Sequence, residues 1–279
     1  MLARNEKKKV PILMYHSISQ YAKPKFKQFA VSPALFADHM AYLHRHSYTP
    51  ITVSQFVRDR AQEKTALPKR PVVLTFDDGF ADFFTAVLPV LQRYSFPATL
   101  YVATMFINGT SRWLQMEGEG TRPMLTWEQL SEIAASGIEC GSHSHSHPQL
   151  DVLPPHVTRN EIVQSKELLE QHLGREVVSF AYPFGYHTAA VRRQVEEAGY
   201  ASACAVKCAM CSESTDHFAL TRFIMKSATR TDTFAALLSG RSASTATTLY
   251  MQARTPVWQM VRRSSASATR FIQERLPVR

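Results

Sequence analysis

The chain has 279 residues, of which 45% are hydrophobic and 20% charged. That balance supports a sizeable buried core and excludes global disorder, and α/β barrels of this length commonly form one domain. The net charge of +9 favours acidic partners such as phospholipid head groups, nucleic acid or phosphorylated carriers without choosing among them. No RRM-like, zinc-finger or helix-turn-helix pattern is present, so no nucleic-acid partner is expected.

Residues 1–9 form a polar, basic extension containing Lys7, Lys8 and Lys9. The apolar run at 11–15 reads as a strand. It is too short for a signal-peptide core or a membrane span, so a soluble, cytoplasmic chain is expected. Ser32 followed by Pro33 marks a helix start, with Leu35, Phe36, Met40 and Leu43 at helical spacing behind it. Further strands are expected at 72–76, 99–103, 138–141, 178–182 and 201–206. Thr126 and Gln129 make a capping box for a helix that Gly137 should stop. Helices over 157–173 and 188–198 are closed by Gly174 and Gly199.

Strand–helix alternation of this kind implies parallel strands with crossover helices. No G-x-G-x-x-G or Walker loop follows any strand, so a barrel is expected rather than a nucleotide-binding sheet. Cys204, Cys208 and Cys211 have the C-x3-C-x2-C spacing of radical iron–sulfur enzymes that use S-adenosylmethionine. That motif belongs in an early strand-to-helix loop, and here it follows the sixth strand, which favours small core residues of a strand entering a loop. Cys140 completes a set with no disulfide framework. Residues 240–248 are rich in Ser, Ala and Thr and read as a linker. Residues 249–279 mix Trp258, Met260, Val261, Phe271 and Ile272 with many arginines. Such a basic amphipathic segment suits peripheral attachment to the anionic inner face of a membrane, or a C-terminal helix packed on its own barrel.

Asp77 and Asp78 end the strand at 72–76, where parallel barrels build their active sites, and Gly79 lets the chain turn sharply there. Adjacent carboxylates repel, and a bound cation would relieve them. Gly141-Ser142-His143-Ser144-His145-Ser146-His147 follows the strand at 138–141. On a helical turn His143 and His147 would share a face; in an extended segment His143, His145 and His147 would. The spacing leaves His145 open. Two histidines and one aspartate make three protein ligands and leave a fourth position for water, the catalytic kind of metal site.

Thr75–Gly79 and His143-Ser144-x-x-His147 resemble the first two motifs of the polysaccharide deacetylase family (NodB homology, carbohydrate esterase 4), and residues 180–185 resemble its third. The resemblance runs from Val10 to Ala236 and implies a distorted (β/α)7-type barrel as a single catalytic domain over 10–239, with the tail at 240–279 outside it. It implies a metal-dependent hydrolase that removes N-acetyl groups from an amino sugar in a polysaccharide, oligosaccharide or lipid-linked glycan, in keeping with exopolysaccharide biosynthesis. By the same resemblance, Asp77 is the general base; Asp78, His143 and His147 hold a divalent metal, usually zinc; and Ser144 supports the histidine loop. The Phe184 N–H, in the motif that also contains Tyr182, binds the oxyanion, and His145 falls on a variable position.

Two departures stand out. Ala181 occupies the place of the arginine that orients the catalytic aspartate, and no Leu-x-Leu-His motif carrying the general acid follows Leu220. Residues 11–18, Pro-Ile-Leu-Met-Tyr-His-Ser-Ile, resemble the opening of the exopolysaccharide deacetylase branch, where the acid-bearing strand comes first. First and last strands are neighbours in a closed barrel, so His16 is the expected general acid. Competing readings are a non-catalytic carbohydrate-binding member of the fold, an amide hydrolase acting on a small non-sugar substrate, and the radical enzyme. The loop at 104–124, with Trp113, is expected to shape the sugar site.

Overall fold

The computed structural model describes residues 9–61, 67–206, 209–212 and 215–241. The expected N-terminal extension (apart from Lys9), Cys208 and the C-terminal segment beyond Arg241 lie outside the described residues. Strands β1 (Ile12–Tyr15), β2 (Ser17–Ile18), β3 (Ala30–Val31), β4 (Thr49–Ile51), β5 (Pro71–Phe76), β6 (Thr99–Val102), β7 (Glu139–Ser142), β8 (Ser179–Ala181), β9 (Ser202–Cys204) and β10 (Phe223–Ile224) alternate with seven α-helices among the described residues. These are α1 (Pro33–Arg45), α2 (Val53–Ala61), α3 (Leu88–Tyr94), α4 (Trp127–Ala135), α5 (Pro155–Leu173), α6 (Ala189–Glu197) and α7 (Thr231–Leu238). The helix-start signals work as their chemistry requires. Ser32 Oγ accepts from Leu35 N–H, Thr126 and Gln129 close a capping box, and Gly174 ends α5 at φ 62°.

The main sheet is parallel, in the order β10-β1-β5-β6-β7-β8-β9, with β4 paired to the first half of β5. The residues just before β10 close the ring: Leu220 bridges Cys204 in parallel fashion, accepting from Ala205 N–H at 2.8 Å and donating to Ala203 O at 2.9 Å. The result is a distorted (β/α) barrel of seven strands. Two strands of the main sheet escaped sequence reading, as did the short β2–β3 pair. Pro50 at the centre of β4 argues against a strand, and β10 has only two residues.

Side chains alternate across the barrel wall. Leu13, Tyr15, Leu74, Phe76, Leu100, Val102, Phe180, Ala203 and Phe223 pack outward in the large core cluster. Ile12, Val73, Tyr101, Ala181, Cys204 and Leu220 belong to a separate cluster that fills the interior. At the N-terminal end of the barrel, Glu139 accepts from Ser54 N–H at 3.1 Å and Thr99 Oγ1 at 3.0 Å, which fixes the start of α2 as a plug. In the next layer Tyr101 faces Gly141 across the β6–β7 register, and its hydroxyl bonds Ser179 Oγ at 2.6 Å. A Cβ on Gly141 would stand 2.6 Å from the Tyr101 ring and 2.8 Å from Ser179 O. Gly141→Ala should therefore destabilise the barrel by about 1–3 kcal/mol through overpacking. Chemical denaturation measures this, and an unchanged midpoint would contradict so tight a layer.

Candidate active site

The same alternation that fills the barrel builds the layer at its C-terminal mouth. β1 and β5 pair in register, Tyr15 opposite Phe76, so the next residues, His16 and Asp77, lie side by side and face inward. Asp77 N–H donates to Tyr15 O at 2.9 Å and His143 N–H to Val102 O at 3.0 Å, extending the ladders one step past the strands. Asp78 (φ 79°) and Gly79 (φ 85°) both take the left-handed conformation, which swings the chain across the mouth. A Cβ on Gly79 would meet Val102 Cγ1 at 2.8 Å.

The histidine segment is neither a helical turn nor extended. Ser144 (φ 64°) and His147 (φ 58°) are left-handed, and Ser144 Oγ accepts from His147 N–H at 3.1 Å to close the loop. His143 and His147 thereby face each other with ring centroids 4.8 Å apart. His145 is turned away: its Nδ1 pairs with Thr104 Oγ1 at 2.9 Å and its N–H donates to Glu161 O. Among the described residues the group able to hold a metal is Asp78, His143 and His147, with ligand atoms all within 4.8 Å of one another. Asp78 Oδ1 lies 3.4 Å from His143 Nε2 and 3.2 Å from His147 Nε2. Ligand bonds of about 2.0–2.2 Å in a tetrahedron give edges of about 3.3–3.6 Å, close to the two Asp78–histidine separations, so these donors suit a zinc-sized cation. His143 Nδ1–H donates to Ala181 O at 2.7 Å, which orients the ring so that Nε2 faces Asp78 and becomes the ligand atom once its proton is lost.

Asp77 is held from an unexpected direction. Arg222, fully buried, donates from Nη1 to Asp77 Oδ1 at 2.6 Å and from Nη2 to Oδ2 at 2.7 Å. Its Nη1 also reaches Thr75 Oγ1 at 3.2 Å, and its Nε donates to Ala205 O at 3.2 Å. Arg222 enters the interior from the segment that closes the barrel, so the guanidinium missing at Ala181 arrives from the residue just before β10. The readable signal was a single arginine inside the apolar run 220–225, because a buried guanidinium requires a carboxylate partner. Burial pushes the Asp77 carboxyl up, but the charges of Arg222 and His143 outweigh it and leave the group below its ordinary value. Asp78 lies well below, because hydrogen bonds from His143 and His147 overcome its burial.

His16 is partly buried beside these carboxylates, its ring 5.1 Å from Phe29, and its buried Nδ1 has no hydrogen-bond partner among the described residues. Burial lowers its proton affinity, while Asp78 and Asp77 raise it. Phe184 is half-exposed at φ 59°, its ring 4.9 Å from that of His147, and Trp113 approaches the same imidazole at 5.1 Å. Tyr182 is not brought to the cluster. It belongs to the outer core, and its hydroxyl donates to Phe218 O at 3.0 Å. Cys204 and Cys211 are fully buried, and burial pushes the Cys204 thiol up to about 12, so neither offers a thiolate to a cluster.

A barrel that gathers two histidines and a carboxylate at the C-terminal ends of its strands has the open, three-ligand donor set of a hydrolytic metal centre. Residues 64–203 match the polysaccharide deacetylase family, and the chain belongs to it. It is 31% identical over 192 residues to Bacillus subtilis YxkH, whose name assigns it to the polysaccharide deacetylases, covering 69% of this chain and 62% of that protein. It is 28% identical over 140 residues to the poly-β-1,6-N-acetyl-D-glucosamine N-deacetylase of Escherichia coli K12, covering 48% and 20%. The chain therefore spans less than two thirds of the length of these relatives. The fold is similar to that of the Streptococcus pyogenes deacetylase PplD in complex with acetate, with a TM-score of 0.72 and 24% identity over 83% of this chain and 99% of that one.

Two measurements test this electrostatic arrangement. Asp77 and Asp78 titrate below their ordinary values, so the stability they contribute is fully present above the unfolded value of about 3.9 and is lost as pH falls through their depressed folded values. Arg222→Met should strand Asp77 as a buried, unpaired charge and cost about 3–5 kcal/mol at neutral pH. Part of that cost should be recovered as acid protonates Asp77, the opposite trend to wild type, as followed by denaturant midpoints of the metal-free protein. His143 holds its proton above the ordinary imidazole range, since the charge of Asp77 and the hydrogen bond to Asp78 outweigh burial. Zinc binding should therefore expel a proton and weaken as pH falls, read by calorimetry in buffers of different ionisation enthalpy.

Proposed function

We propose that the chain is a metal-dependent carbohydrate de-N-acetylase acting on N-acetylated amino sugars of a glycan. The observation that carries this reading is the pairing of Asp77, clamped by Arg222, with Asp78, His143 and His147 at one mouth. The two histidines and one carboxylate suit zinc. Bound there, the cation would polarise the acetamide carbonyl and acidify the attacking water. Asp77, kept ionised and aimed by the bidentate guanidinium, takes the proton of that water as it attacks the carbonyl carbon. The Phe184 N–H is assigned to the developing oxyanion. His16, level with Asp77 on the neighbouring strand, donates a proton to the departing amine, so acetate and a free amino sugar leave. Phe184 and Trp113, packed against His147, give that edge of the site an aromatic wall. The name of the Escherichia coli relative supports a polymeric N-acetylglucosamine substrate. Arg222 removes the main ground for a non-catalytic binding protein, which was the missing arginine at Ala181.

The test is acetate release from N-acetylglucosamine oligomers and from lipid-linked N-acetyl sugars, with zinc added or chelated. Asp77→Asn should retain zinc yet lose on the order of 10²–10⁴ in kcat. A fully active Asp77→Asn variant would overturn the base assignment, and absence of release from every N-acetyl substrate would overturn the reading.

A further inference from the structure

A second charged cluster adjoins the site and is not used by the mechanism above. The Asp82 carboxylate accepts from the Ser17 hydroxyl and, at 3.2 Å, from Ile18 N–H. Arg122 approaches the same hydroxyl from the loop at 104–124. Its Nη1 donates to Ser17 Oγ at 3.0 Å and stands 3.6 Å from Asp82 Oδ2; its Nη2 donates to Tyr21 O at 3.0 Å and pairs with Glu119 at 3.0 Å. Glu119 in turn accepts from Lys23 N–H. The Phe26 and Phe80 rings flank the guanidinium at 5.3 and 5.7 Å, and Ala81 N–H donates to Pro123 O at 3.0 Å beside it.

Three segments meet at this guanidinium: the turn that carries Asp77 and Asp78, the strand end that carries His16, and the loop at 104–124. Ser17, the residue after His16, is the shared contact, donating to Asp82 while accepting from Arg122. No hydrogen bond among the described residues holds His16 Nδ1, so the ring's aim depends on its backbone and on the packing of Phe29. An acid must sit within hydrogen-bond reach of the atom it protonates, and a displacement of about 1 Å can cost on the order of a hundredfold. The geometry points to Arg122, acting through Ser17 and Asp82, as the positioning residue that aims His16 at the departing nitrogen. This rests on the reading of His16 as the general acid.

The test separates substrates that need the acid from one that does not. An amine leaves only when protonated; an activated aryl acetate releases its aryl oxide unprotonated. With zinc loaded, Arg122→Gln should lower kcat for N-acetylglucosamine oligomers on the order of tenfold to a hundredfold, with KM and the aryl acetate rate within about twofold of wild type. Ser17→Ala, a smaller change that keeps the fold, should shift the amide-to-ester ratio the same way, and both variants should bind zinc as wild type does. Parallel loss on both substrates by Arg122→Gln, or an unchanged ratio in Ser17→Ala, overturns the positioning role. If wild type itself releases no acetate from any N-acetyl glycan, it is the de-N-acetylase reading that falls.

Discussion

The site is organised around a buried bidentate ion pair, Arg222 with Asp77. Removing a carboxylate and a guanidinium from water costs several kcal/mol for each ion, recovered only where the geometry is good and the remaining donors are satisfied. Here they are: the guanidinium spends its other N–H groups on Thr75 Oγ1 and Ala205 O, and the Tyr101 ring lies 5.6 Å away. A hydrophobic pair would fill the same space at no greater cost. The charge is retained for what it does to Asp77, which it keeps ionised and fixed in orientation beside a second carboxylate.

Charge balance then explains why the neighbours are what they are. Asp77 and Asp78 are adjacent in sequence and nearly fully buried. One guanidinium offsets one of them. His143, with its raised proton affinity, partly offsets the other, and a divalent cation held by Asp78, His143 and His147 would do so fully. The layer is thus short of positive charge without a metal, and that deficit would be relieved by binding one.

What was legible in the sequence was local. Asp77 and His143 each follow a strand that the hydrophobic pattern reveals, and alternation then aims them inward, whereas Asp78 and His147 lie in the turn and loop beyond and were legible through their motifs. His16 was legible because closure of a barrel brings first and last strands together. Three things were not. The histidine loop depends on left-handed backbone at Ser144 and His147, which residue spacing does not encode. Tyr182 was assigned to the site through its motif, yet one step of alternation carries it into the outer core. Arg222 pairs with a residue 145 positions away, and the two-residue strand beside it gives almost no periodic signal. The family match, over 64–203, includes neither His16 nor Arg222.

That distribution has a structural reason. A guanidinium reaches a carboxylate at the barrel mouth from below, through the interior, and any strand whose inward side chain lies in that layer can supply it. Ala181 on β8 and Arg222 beside β10 both face the interior. With alanine at the first position, His143 Nδ1 finds only the Ala181 carbonyl there, and the interior beside Tyr101 stays open to the longer side chain. The segment that delivers Arg222 is also the one that closes the ring through Leu220. Barrel closure and the electrostatics of Asp77 are therefore one property of this chain: a shift that loosens the seam between β9 and β10 moves the guanidinium, and with it the carboxylate that the chemistry needs.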